Sequence, residues 1–348
     1  MATVQRYVNT ASTAGGDGTT NATSGANRAY ASLSEWESNA GGSATDDYIV
    51  DCCGTAADTT AVTVDFATNI TTGSITIRGN RGDGAGFYDG PDLISTQHYR
   101  LVVGAGASAL YINEDRVTID GIQVESGGGS FRCGINVVAA KTYTIRKCRV
   151  RATATTDCGI GQGNVDASGH ETRVIENNLV VGFEAGIEVK VGAHYSPNVS
   201  ILQNTVYGDG SAIGIKLVEQ AGSGTGTYAI KGNAIGNSGA SNCFSVTMLG
   251  GGTLTYDDNA TEDAQGTNGE IAIGTLTDAW TNPGTGQTAD FTVKDTSSSL
   301  YGAVNPTLVT TDIVDFTRDG TNHDVGCFEY QAAAASGAKQ LMTLGVGD

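Results

Sequence analysis

Short alternations of apolar and polar residues recur along this chain at a nearly constant interval. Five segments fall into one column when the chain is slid against itself: VTIDGIQV from 117, YTIRKCRV from 143, RVIENNLV from 173, VSILQNTV from 199 and YAIKGNAI from 228. In each, apolar residues at every second position predict a half-buried strand of about five residues. The shared residues are Ile119, Ile145, Ile175, Ile201 and Ile230, at spacings of 26, 30, 26 and 29, and a further step of 26 reaches Tyr256. A second column keeps step with the first: Cys133-Gly-Ile135, Cys158-Gly-Ile160, Ala185-Gly-Ile187, Ile213-Gly-Ile215 and Cys243-Phe-Ser245. Two columns in phase predict one coil per repeat, each coil pairing with the next at about 4.8 Å in a parallel β-solenoid. Leucine-rich repeats share the period but need a Leu-x-x-Leu-x-Leu signature, and a propeller blade needs about 40 residues. Neither pattern fits.

Three residues after the shared position, four coils carry an asparagine: Asn178, Asn204, Asn233 and Asn259. Stacked at one turn, these are expected to bond to one another and to satisfy turn backbone. Cys133 and Cys158 each precede a Gly-Ile pair on consecutive coils, which places them with the isoleucines in an inward-facing core column as reduced thiols. The seven cysteines show no Cys-x-x-Cys or Cys-His spacing, so no zinc site is expected. Fifty glycines against four prolines agree with many short strands separated by turns.

The repeats resemble those of right-handed parallel β-helix proteins, the broad group that includes pectate lyases and many phage tailspikes. Both ends carry the likeness. The start, RYVNTASTAGGDGTTNATSGANRAYASLSEWES, is similar to a common opening of such chains: a strand, a Gly-Gly-Asp-Gly loop and a short capping helix. The end, FTRDGTNHDVGCFEY, resembles their closing strand, with Val325 and Cys327 as departures. The resemblance implies an all-β, right-handed parallel β-helix (solenoid) with a short N-terminal capping helix, and it identifies architecture without chemistry. Ser32 and Glu35 fit a capping box, with Tyr30, Leu33 and Trp36 on one helical face. The expected divisions are 1–44 for strand, loop and capping helix, 45–300 for the β-helix, 301–330 for the closing segment and 331–348 for a tail, flexible or docking.

A net charge of −18 repels nucleic acid phosphates, so nucleic acid is not an expected partner. No run of 18 apolar residues occurs, and MATVQRYVNT lacks a basic and then apolar leader, so neither a membrane span nor a secretion signal is visible. The carboxylate and basic constellations of pectate lyases and polygalacturonases are missing: Asp257-Asp258 stands without its Asn-x-Asp and Arg-x-Lys partners. If the chain is an enzyme, its candidate residues are Glu188, Lys190 and Lys216, which alternation turns outward after the Gly-Ile pairs, beside Asn136. The plainer expectation is an exposed ion pair between Glu188 and Lys216, with His170 and His194 on loops nearby. Arg146, Lys147, Arg149 and Arg151 form a basic patch, expected to be a solvated strand face. Arg81-Gly82-Asp83 and the GGDGTT loop at 15 read as turn chemistry.

These observations call for no metal and no cofactor. They favour a non-enzymatic structural protein of a bacteriophage virion, a head-surface decoration or fibre-type scaffold. A polysaccharide lyase or depolymerase is the alternative and a bacterial surface adhesin the second. Expected partners are other virion proteins or further subunits, through 331–348, with glycans as another candidate. The expected location is the virion surface, with an extracellular location as the alternative.

Overall fold

In the computed structural model, residues 1–66, 69–79, 88–127, 129–138, 141–154, 156–162, 171–192, 196–210, 213–220, 225–237, 243–262, 271–304, 308–318 and 323–330 are described. The chain winds into a parallel β-helix with three sheets running along its axis. Sheet A has nine strands, from Thr3–Asn9 at one end to Thr253–Asp257 at the other. Sheet B has nine, from Ala57–Asp58 to Ile271–Ala272, and sheet C seven, from Val62–Val64 to Phe244–Met248. Nine rungs at about 4.8 Å span roughly 40 Å.

Register follows the apolar column. Ile119, Ile145, Ile175, Ile201, Ile230 and Tyr256 pair rung to rung, and the column extends backward through Ile77 to Val50. The five predicted isoleucines are buried in the central core. A one-residue slip would turn a strand's whole apolar set outward, which is why so regular a pattern specifies its own pairing.

Sheet C corrects the second column. Gly134, Gly159, Gly186 and Gly214 face inward so closely that a Cβ would drive into Val150, Val180, Val206 and Ile235 of sheet B. Glycine is therefore required where the two sheets converge. Ile135, Ile160, Ile187 and Ile215 stack beside these glycines in the core. Cys133, Cys158 and Ala185 instead form a small separate cluster on the outer side. The last coil is offset by one residue from the sequence alignment: Ile215 pairs with Phe244, and Cys243 enters the core beside Gly214.

Cys133 and Cys158 are not reduced core thiols. They are joined by a disulfide with a Cα separation of 4.6 Å. The two are in-register neighbours on consecutive strands, with an irregularity just before Cys133, and their Cα separation lies within disulfide range. Cys52, Cys53, Cys148, Cys243 and Cys327 are buried and lie outside this disulfide.

The helix starts earlier than the expected residue 45, because Thr3–Asn9 is itself the first rung of sheet A. Helix α1, Leu33–Asn39, underlies the first strand of sheet C and buries Leu33 and Trp36, the latter edge-on to Phe66. Ser32 accepts from the Glu35 amide, while the Glu35 carboxylate takes the amides of Ala31 and Gly15 in place of its own cap. Asp58 accepts a further bond from the Leu33 amide. The cap is thus tied to both the first loop and the second coil.

The helix also ends earlier than the expected residue 300, its last rung being Ile271–Ala272. Beyond it, a strap of helix α2, Leu276–Ala279, a hairpin of Trp280–Asn282 with Asp290–Val293, and irregular chain to Tyr330 folds back over sheet B. Trp280, Phe291, Leu300, Ile313, Val325 and Phe328 pack there with Leu179, Val181 and Ala234. Neighbouring Val150, Val180, Val206 and Ile235 face the central core, so sheet B is buried on both faces. The unbroken apolar run Leu179-Val180-Val181 is the local signature of that burial.

Candidate functional site

Sheet C presents an outward row of residues in register: Thr63, Tyr111, Asn136, Gly161, Glu188, Lys216 and Ser245. The structure brings the three sequence candidates together: Glu188 and Lys216 lie in this row, and Lys190 stands beside it. The Glu188 carboxylate lies 2.7 Å from the Lys216 Nζ on the next coil and 3.1 Å from the Lys190 Nζ two residues along its own strand. Burial pushes the Glu188 carboxyl up, but the two ammonium groups together outweigh burial and hold it below its ordinary range. A carboxylate so held stays ionised near neutrality and cannot act as a general acid. The row contains one carboxylate, whereas glycoside hydrolysis uses two across the scissile bond. Asn136 lies 3.5 Å from the Ser108 hydroxyl, on the same face.

The ladder asparagines are fully buried and linked in series. Each side-chain amide donates to the next side-chain oxygen: Asn178 to Asn204 at 3.0 Å, Asn204 to Asn233 at 3.0 Å and Asn233 to Asn259 at 2.9 Å. The same nitrogens reach the carbonyls of Ile145, Ile175 and Ile201, and the Asn178 oxygen takes the Cys148 amide. These bonds leave the asparagines no free face for a ligand; their work is to hold the turns in register.

Immediately before the ladder stands a turn column with left-handed backbone: Lys147, Asn177, Gln203, Gly232 and Asp258. Its members fasten the strap. Lys147 pairs with Asp315 and donates to Thr311, and Asn177 donates to the Thr311 carbonyl at 2.6 Å. The Gln203 amide donates to the carbonyls of Gly326 and Asp324, and the Gly232 carbonyl accepts from the Gly326 amide. A Cβ at Gly326, where φ is +94°, would strike Thr205. The glycine of the closing motif is set by this contact.

The expected basic patch is dispersed and is not a solvated face. Arg146 joins a charge ladder on sheet A in which Asp51 pairs with Arg78 at 2.6 Å and Asp120 with Arg146 at 2.9 Å. The same rungs continue to Glu176, so signs alternate along the axis and each neighbour attracts. Arg149 is buried against Tyr88 and Phe328 and donates to the carbonyls of Gly90 and Asp92. Arg151 holds Glu125 and the Thr285 carbonyl. Three of the four cations therefore clamp neighbouring segments.

The polar cluster that sequence reasoning missed lies under the strap. Arg318, fully buried, donates to Glu329 at 3.1 Å, Asn177 at 2.9 Å and the carbonyls of Gly326 and Asp324. Asp312 takes the amides of Val314, Phe316 and Glu329, and Asp324 those of Gly302 and Tyr330. Arg318, Asp324 and Glu329 all fall within the closing motif FTRDGTNHDVGCFEY, and these charged residues were its visible signal.

Asp257 pairs in register with Lys231, and Asp258 occupies the left-handed turn, so the Asp-Asp dipeptide points in two directions. Asp17 of the GGDGTT loop accepts from the amide and hydroxyl of Thr19, a turn as expected. Arg81-Gly82-Asp83, His170, His194 and the tail 331–348 lie outside the described residues. Among the described residues no three His, Cys, Asp or Glu are grouped to hold a metal ion, and no helix is long and apolar enough to cross a membrane. No protein-family model matches this chain, and no curated protein does.

Proposed function

We propose that the chain is a rigid, non-enzymatic β-helical scaffold on the surface of a bacteriophage particle, as a head decoration or fibre-type component. The observation that carries the scaffold reading is the pairing of Glu188: the one carboxylate of the sheet C row is held between Lys216 and Lys190. The Asn ladder, the charge ladder and the strap fastenings support the same reading, since each ties coils or segments to one another. The Cys133–Cys158 bond suits a location in which disulfides persist, such as a particle or cell exterior.

Two measurements test this. Purified protein incubated with neutral and acidic polysaccharides should release no reducing or unsaturated ends; release abolished by Glu188→Gln would establish the lyase or depolymerase alternative. Antibody against the chain should label sedimenting phage particles from producing cells, whereas label confined to the bacterial surface would favour the adhesin.

A further inference from the structure

The two ends of the β-helix differ in how they are closed. At the first rung the chain covers its own free edge along Thr3–Asn9: the Tyr7 amide donates to the Gly18 carbonyl at 2.8 Å, the Asn9 amide to the Tyr30 carbonyl at 2.8 Å, and the Tyr30 amide back to the Tyr7 carbonyl at 2.9 Å. At the far end, Phe244–Met248 is the last strand of sheet C and, among the described residues, pairs on one side only. Phe244, Val246 and Met248 continue the inward rows of Ile215, Leu217 and Glu219. Those three are fully buried, whereas the residues stacked on them are half-exposed, and Leu249 beside them is 61% exposed. Inward side chains of a solenoid are covered by the coil before and the coil after, so this step in burial marks a missing cover. The Leu249 amide donates back to Glu219, and alternation then points the Val246 and Met248 amides at the free edge. Such an edge is a template for one more strand.

One segment of the chain carries the matching pattern. Leu344-Gly345-Val346 repeats the sheet C triplet of an apolar residue, a glycine and a β-branched residue, as in Ile213-Gly214-Ile215 and Ala185-Gly186-Ile187. The last sheet C strand, at Cys243-Phe244-Ser245, lacks it. Residues 331–348 lie outside the described residues, but the point from which they leave is near this end. Tyr330 stands edge-on to Tyr301 at 5.6 Å, and Ser299 donates to the carbonyl of Ile273, just past the last rung Ile271–Ala272. Thirteen residues, 331–343, separate Tyr330 from the triplet, and extended they span about 40 Å. Within the coils the chain passes from sheet B to the triplet in fewer, from Val181 to Ala185 and from Tyr207 to Ile213. The reach is ample. A second copy is the less favourable occupant, because each chain carries a net charge of −18 that opposes end-to-end approach, while 331–348 carries only Lys339 and Asp348.

We propose that Leu344-Gly345-Val346 pairs in parallel with Phe244–Met248 as a further strand of sheet C, with Val346 stacked on Phe244, so that the chain closes its own open end. The pairing is independent of the scaffold reading, since it asks nothing of where the helix sits.

Hydrogen exchange of the full chain, read by NMR, tests it. The Val246 and Met248 amides should be protected in the unaltered protein, and Val346→Asp should speed their exchange about tenfold or more while the amides of 213–219 and 308–318 keep theirs. Val346→Ile should retain the protection, as should Ala334→Asp in the spacer. Unprotected Val246 and Met248 amides in the unaltered protein, or protection indifferent to Val346→Asp, would overturn the proposal. Protection that fades on dilution, with a dimer seen by sedimentation, would overturn it as well and assign the edge to a second copy.

Discussion

The Arg318 guanidinium donates to the side-chain oxygen of Asn177 at 2.9 Å across 141 residues of sequence. It is one of several bonds that join the strap to the turn column of the β-helix. The same guanidinium neutralises Glu329 and satisfies two strap carbonyls, so it is the common partner of both sides of the interface.

Replacement Arg318→Leu should release the strap while sparing the coils. It leaves the Glu329 carboxylate buried without its cation, a change that costs about 3–5 kcal/mol. Limited proteolysis should then cut within 276–330 while far-UV circular dichroism keeps its β signal. An unchanged digestion pattern would show that apolar packing alone secures the strap.

Asn204→Ala should destabilise the helix by about 2–4 kcal/mol, since the Asn178 amide groups lose their acceptor inside the core. Asn204→Asp should cost at least as much, because a carboxylate cannot donate to Asn233 or to the Ile175 carbonyl. Urea unfolding checks both. Tolerance of the aspartate would show that the bonds Asn204 donates contribute little to stability.

Burial pushes the Asp324 carboxyl up to about 6 from an ordinary 3.8, against the opposing pull of the Gly302 and Tyr330 amides. The folded chain thus binds this proton more tightly than the unfolded chain. The stabilisation is complete below about pH 4 and is lost as pH rises through about 6, an effect on the order of 2–3 kcal/mol. Strap docking should tighten between pH 7 and pH 5, roughly. Asp324→Asn should remove that part of the slope, whatever it does to absolute stability; an identical slope in both proteins would rule out Asp324 as its source.

Alkylation in denaturant without reductant should label five of the seven cysteines, and all seven after reduction. In the native protein the buried thiols should resist labelling, since burial raises Cys148 to about 12 and Cys327 to about 11. Cys158→Ala should lower stability by up to about 3 kcal/mol for a closed loop of this size. Seven labels before reduction would show that no bond forms.

By itself the sequence determined the coil repeat, the isoleucine register and the Asn ladder. Each depends on a local period of two and a recurrence of 26 to 30 residues, so neighbouring coils carry the same instruction and can pair in only one way. Only the tertiary structure decided which side Cys133 and Cys158 face, because Gly134 and Gly159 and the isoleucines after them, Ile135 and Ile160, all turn into the core, so the alternation from which the cysteines' side was read breaks at each Gly-Ile pair. It alone dispersed Arg146, Lys147, Arg149 and Arg151 to separate partners: two lie along sheet A and at its turn, and two lie beneath segments from elsewhere in the chain. The strap itself was invisible for the same reason. Its contacts join residues more than 100 positions apart, as Arg318 joins Asn177, and no short-range pattern encodes a distance of that kind.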